Sequence, residues 1–147
     1  ALAEKVKIDV WGYGKDELDP KSRLYQNHHG EAWGKDMYRL MMQSKITVNR
    51  HIDVAKNNAN NMRLYEATGC GAMLITDAKN NLNTLFEIDN EVVTYHNLPE
   101  LVKKINYYLK HDRERIQIAR RGQQRTLKDH TYAVRMKQLV DIIKCYV

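Results

Sequence analysis

Arg63 and Glu66 stand three residues apart at the head of a short apolar pattern, behind the run Asn57-Asn58-Ala59-Asn60-Asn61-Met62. A guanidinium pairs two oxygens of a phosphate at once. A carboxylate can accept hydrogen bonds from two neighbouring ribose hydroxyls, as the acidic residue of dinucleotide-binding folds does. A helix predicted to start near Asn61 adds unpaired backbone N–H groups and about half a positive charge, which suits an anion such as phosphate. Asparagine caps helices and tolerates left-handed turns, so Asn60 or Asn61 is expected to cap this one. The same residues also have plainer readings. The asparagines can cap and turn with no ligand at all, and a helix glutamate is ordinarily solvated.

The elements that must position this segment follow from periodicity. Val6, Ile8 and Val10 alternate with polar residues and predict a strand over 6–12, closed by the turn Gly12-Tyr13-Gly14. A polar loop runs to about residue 30. A short helix follows, with Asp36 in its first turn and Met37, Leu40 and Met41 on one face, and then a strand over 45–51. In the next helix Met62, Leu64 and Tyr65 are expected to face the core and Gly69 to end it. Residues 72–76 are apolar throughout and predict a fully buried strand. A short helix over 81–86 and a strand over 91–96 come next. Asn97 caps a helix with Pro99 at its start and Leu98, Leu101, Val102, Ile105 and Leu109 on one face. Asp112 is expected to cap the following helix and Thr131 the last, whose stripe is Met136, Leu139, Val140, Ile143 and Val147. Strands alternating with helices predict an α/β, Rossmann-like parallel sheet flanked by helices, with further helices at the C-terminal end. Such sheets bind ligands beyond the carboxyl ends of their strands.

Composition bounds the rest. A chain of 147 residues has room for one domain, and 43% hydrophobic with 29% charged residues is the balance of a folded one. No apolar run approaches the roughly 20 residues of a membrane span, and the first residues lack the features of a secretory signal. Cys70 and Cys145 form no disulfide framework, so a reducing cytoplasm is expected. The six histidines show no zinc spacing, so no metal is expected. From residue 100 onward 12 Lys and Arg face 5 Asp and Glu, against 12 and 13 before it. That excess can face an anionic membrane surface or simply solvate helices. Without an aromatic sheet motif or a GXXG loop, nucleic acid is not an expected partner.

The blocks "GEAWGKDMYRLMMQSKITVNRH", "NMRLYEATGCGAMLITD", "LFEIDNEVVTYHNLPELVKKINYYL" and "ARRGQQRTLKDHTYAVRMKQL", in this order, resemble the C-terminal domain of GT-B glycosyltransferases of the CgeB-like, spore maturation protein group. The resemblance spans nearly the whole chain and implies one Rossmann-like half of a GT-B fold, which binds a nucleoside diphosphate sugar as donor. It matches Glu66 to the glutamate that holds the ribose, and Asn61, Met62 and Arg63 to the phosphate-binding helix start. Glu31, Ala32 and Trp33, after Gly30, match the loop beside the nucleobase, with Trp33 either a stacking wall or a plug in the core. Gly14, Asn58 and Asn60 complete the candidate donor-binding set, and Arg63 and Glu66 are the candidate catalytic pair. Many retaining members have a second glutamate where this chain has Asn58. The resemblance further implies that the first strand and an N-terminal acceptor domain or partner chain lie outside residues 1–147. No cofactor beyond the donor substrate is expected. A non-catalytic nucleotide- or protein-binding module is the competing reading, and a basic RNA-binding domain the third.

Overall fold

The computed structural model describes residues 2–146. Its helices are α1 (Arg23–Gln26), α2 (Gly34–Gln43), α3 (Arg63–Gly69), α4 (Leu98–Lys110), α5 (Asp112–Asp129) and α6 (Tyr132–Lys144). Its strands, β1 (Ile46–Asn49), β2 (Met73–Asp77) and β3 (Val93–Tyr95), form one parallel sheet in the order β1-β2-β3. β2 is central because it is the most apolar: Met73, Leu74 and Ile75 are wholly buried. Its alternation feeds two cores. Leu74 joins Met41, Leu64, Ala67, Leu82, Phe86 and Val92 on one face. Met73 and Ile75 join Val6, Val93, Leu101, Ile105 and Ile118 on the other. Helices therefore cover both faces, as a parallel sheet requires.

The expected strand over 6–12 does not join this sheet. It makes one parallel bridge, Val10 to His28, where Val10 N–H donates to Asn27 O (2.9 Å) and Val10 O accepts from His29 N–H (2.9 Å). A strand is only as good as its partner, and β1 does not supply one here. Among the described residues, the edge of β1 away from β2 has no strand beside it. The region expected to be helical over 81–86 holds only a 3₁₀ turn, Leu82–Thr84.

Helix ends divide into those that cap as expected and those that do not. Asn97 Oδ1 accepts from Glu100 N–H (3.0 Å), and Thr131 Oγ1 accepts from Val134 N–H (3.4 Å). Asp112 does not cap α5. It lies inside the helix and pairs with Arg115, whose nearly buried guanidinium also donates to Tyr108 O (2.9 Å). A buried cation demands a carboxylate more strongly than a helix end does. Met62, expected inside, is 58% exposed, and Leu64 takes the core position at 0%. On α4, Leu101 and Ile105 are buried whereas Leu109 stands at the surface.

The stripe on α6 is the largest correction. Met136, Leu139, Val140 and Ile143 are all about half exposed and α6 buries no residue; Val147 lies outside the described residues. The pattern makes the helix amphipathic, but among the described residues little besides the end of α5 lies against it.

Between α3 and α5 the packing is close. Thr68 and Thr126 share a hydroxyl hydrogen bond of 2.6 Å, Gln123 Nε2 donates to Gly69 O (3.0 Å), and Gly122 lies against the backbone carbonyl of Glu91. Gly69 ends α3 as expected, but the left-handed residue is Gly71, at φ 79°.

Candidate functional site at the carboxyl ends of the strands

The asparagine run lies where the parallel sheet should bind a ligand, yet it does not cap α3. Met62 holds the position before the helix and no side chain caps it. Asn61 instead donates to Asn49 Oδ1 (2.9 Å), Asn49 donates to Thr76 Oγ1 (2.9 Å), and Tyr95 OH donates to Asn49 O (3.1 Å). Asn81 adds a second stitch, accepting from Ala59 N–H (2.6 Å) and donating to Ala59 O (3.1 Å). The amides of Asn61, Asn49 and Asn81 thus tie the loop after β1 to β1 itself, to the end of β2 and to the loop after it. A side chain that can donate and accept at once suits such cross-links better than a cap, which only accepts. Asn58 and Asn60 remain exposed beside this network.

Arg63 and Glu66 form an ion pair of 3.2 Å within the first turn of α3. Glu66 is mostly covered, with 16% of its side chain exposed, and Arg63 leans towards α2, with Nη1 3.2 Å from Met37 Sδ. Arg63 thereby reaches a cleft of about 760 Å³ whose wall also includes Trp11, Gly12, Ala32, Trp33 and the β1 edge Ile46–Val48. Three of the sequence-derived residues, Arg63, Ala32 and Trp33, are brought together there. Glu66 lies behind Arg63, and Asn58, Asn60, Asn61 and Met62 lie on the loop that leads into it. Trp33 is 54% exposed, so it is no core plug. Its indole N–H donates to Glu31 (2.8 Å) and its ring lies 4.9 Å from that of Tyr13. Gly14, in a left-handed conformation at φ 78°, starts a 3₁₀ turn and does not line the cleft.

Sequence reasoning missed a second constellation. His51 and Asp77 follow or end adjacent strands, and their side chains meet at 2.7 Å. Asp77 also accepts from His51 N–H (2.9 Å) and pairs with Lys79 (3.2 Å). Burial raises the Asp77 pKa, but the bonds from His51 and Lys79 outweigh it and hold the carboxyl below its ordinary range. The available signal was positional: two parallel strands each reach a titratable residue at their carboxyl end. Because the folded-state pKa is depressed, Asp77 contributes stability above the unfolded-state pKa of about 3.9, and that contribution is lost as pH falls through the folded value. The stability gap between the wild type and Asp77→Asn, from denaturant midpoints, is therefore expected to be full at neutral pH and to close progressively below about pH 4. A gap independent of pH would show that the charge of Asp77 is not what stabilises.

Cys70 is a poor nucleophile, since burial first and the nearby Glu66 second push its thiol pKa up. Among the described residues no group of three or more His, Cys, Asp and Glu is placed to hold a metal ion, and no helix is long and apolar enough to cross a membrane. Several cations of the basic third are engaged at home: Arg115 with Asp112, Arg125 with Glu91 and Asp129, and Lys104 with Glu100.

The crystal structure of Anabaena Alr3699/HepE in complex with UDP is similar to this chain at a TM-score of 0.70 and 14% identity, over 83% of this chain and 33% of that one. The likeness shows the Rossmann-like half of a GT-B fold, and the chain spans about a third of the length of the structure it matches. No curated protein matches it in sequence. The family model described as glycosyl transferase-like matches residues 1–141, and on that extent the chain belongs to this family.

Proposed function

We propose that this chain is the donor-binding half of a glycosyltransferase and holds a nucleoside diphosphate sugar over the carboxyl ends of its strands. The observation that carries the reading is the convergence of Arg63, Ala32 and Trp33 on one cleft, with Glu66 directly behind Arg63. In this reading Arg63 stabilises the departing diphosphate, whose charge grows in the transition state. Glu66 accepts from the two ribose hydroxyls, and Trp33 offers a ring face to the base. These residues act by placement and electrostatics, so the scheme asks for no cofactor or metal. In this reading an N-terminal acceptor domain or a partner chain binds the acceptor and supplies any proton-accepting group. The open edge of β1 and the exposed face of α6 are the surfaces such a domain would cover. Two free thiols suit a reducing, cytoplasmic setting.

The similar structure was solved with UDP, which makes uracil the first base to test. Thermal titration with UDP and GDP should raise the melting temperature saturably with one of them. At about 100 times the dissociation constant the stabilisation should reach roughly 2.7 kcal/mol. No saturable response to either nucleotide would favour the competing reading of a protein-binding module.

A further inference from the structure

His51 carries an atom that the fold leaves unused. Its side chain has no solvent exposure, and Nε2 is the one buried side-chain nitrogen or oxygen without a hydrogen-bond partner among the described residues. The other ring nitrogen is fixed. Asp77 is a carboxylate and can only accept, so Nδ1 must carry the proton that bridges the 2.7 Å between them. In the neutral ring Nε2 is then a bare acceptor, held in one orientation by its partner on the neighbouring strand. Buried polar atoms are nearly always paired, so one left unpaired just beyond the carboxyl end of β1 calls for an explanation.

The segment after His51 supplies a second observation. Residues 52–60 are held down by three separate ties from the loop after β2: Lys79 Nζ to Lys56 O (2.7 Å), Asn80 N–H to Asn57 O (2.8 Å), and the paired bonds between Asn81 and Ala59. Within it Lys56 sits at φ 49°, ψ −122°, a conformation that a residue with a side chain rarely adopts. The same lysine that clamps this strained point, Lys79, also pairs with Asp77 and so with the imidazole. Strain and clamp sit together on the segment next to the empty acceptor.

We propose that His51 is a specificity-determining residue of the donor site, whose Nε2 accepts a hydrogen bond from a hydroxyl of the transferred sugar once residues 52–60 shift on binding. This rests on the donor reading above and assigns the part of the donor that the cleft residues leave over. At neutral pH the diphosphate has no proton to give. The ribose hydroxyls go to Glu66 and the base to the Ala32–Trp33 loop. The hydroxyls of the sugar are the donors that remain.

The test compares the wild type with His51→Asn. An asparagine amide can replace Nδ1–H towards Asp77 but puts nothing in place of Nε2, so a purely structural role is preserved. Calorimetry would use UDP, UDP-glucose, UDP-galactose and UDP-N-acetylglucosamine. The wild type is expected to bind one of the sugar conjugates about ten-fold tighter than UDP, the worth of one good hydrogen bond. His51→Asn should bind UDP as before and lose that margin. Retention of the margin by His51→Asn, or a wild type that binds all four alike, overturns the proposal and leaves the donor reading standing. Failure of the wild type to bind either UDP or GDP removes both. Should the variant not fold, the ¹⁵N resonance of His51 Nε2 in the wild type decides: it should move with the preferred sugar conjugate and not with UDP, and equal positions in the two complexes overturn the assignment.

Discussion

Glu66→Gln is expected to weaken binding of the preferred nucleotide by about 100-fold while leaving the fold nearly as stable as before. Hydrogen bonds to a charged group are worth about 1.5–3 kcal/mol each, and a carboxylate that accepts from two hydroxyls loses the charge of both and the geometry of one when it becomes an amide. A total of about 3 kcal/mol corresponds to roughly two orders of magnitude in affinity. The stability side is small because the ion pair with Arg63 is an i,i+3 pair with its cation 38% exposed. Such pairs contribute a few tenths of a kcal/mol. Calorimetry for affinity and denaturant midpoints for stability separate the two effects. Unchanged affinity would return Glu66 to the plain role of an ion-pair partner, and the ribose would need another acceptor.

The largest expected effect on folding is at Gly122. By helix propensity alone, Gly122→Ala inside the 18-residue helix α5 should gain about 1 kcal/mol. The site reverses the sign. A Cβ built there would lie 2.4 Å from the backbone carbonyl oxygen of Glu91, with Thr68 Cγ2 at 3.4 Å. Backbone cannot swing aside as a side-chain tip can, so α5 must lift from the segment that leads into β3. Lifting it strains the Thr68–Thr126 bond and the Gln123 bond to Gly69 O at the same interface. Overpacking of this kind costs about 1–3 kcal/mol and occasionally more, and the upper end is expected because two contacts fail together. Urea unfolding of the single variant measures it. A variant more stable than the wild type would mean that α5 and Glu91 are not in such close contact.

How much of this was legible in the sequence depends on whether the deciding partner is near in the chain. β2 was readable because an apolar run of that length has few other fates, and Asn97 because a cap bonds a residue only three positions on. Residues 6–12 alternate as a strand should, but strand formation needs an edge to pair with, and periodicity says nothing about whether one is at hand. The expected cap, Asn60 or Asn61, fails because the Asn61 amide joins the closest polar group, Asn49 on β1, which lies 12 positions away in the chain. The stripe on α6 shows that a face is apolar without showing that anything lies against it. The shared cleft of Arg63, Ala32 and Trp33 came from the family resemblance, since nothing in their spacing joins residue 32 to residue 63. The His51–Asp77 contact joins two strands across 26 positions, and only the register of β1 on β2 brings them together.

The unpaired side of β1 also bears on how the protein behaves in a tube. Ile46, Thr47 and Val48 are a short, β-prone, uncharged stretch whose outward N–H and C=O groups await a partner. An edge of that kind is a template for recruitment of other chains. Lys45 is exposed at its head, and Lys7, Asp9 and Arg63 line the cleft beside it; gatekeeper charges of this type slow such pairing without abolishing it. Residues 1–147 expressed alone should therefore lose soluble protein steeply with rising concentration, forming β-rich aggregates that grow from this edge. An edge left open to pairing is thus a point of colloidal weakness in residues 1–147 on their own.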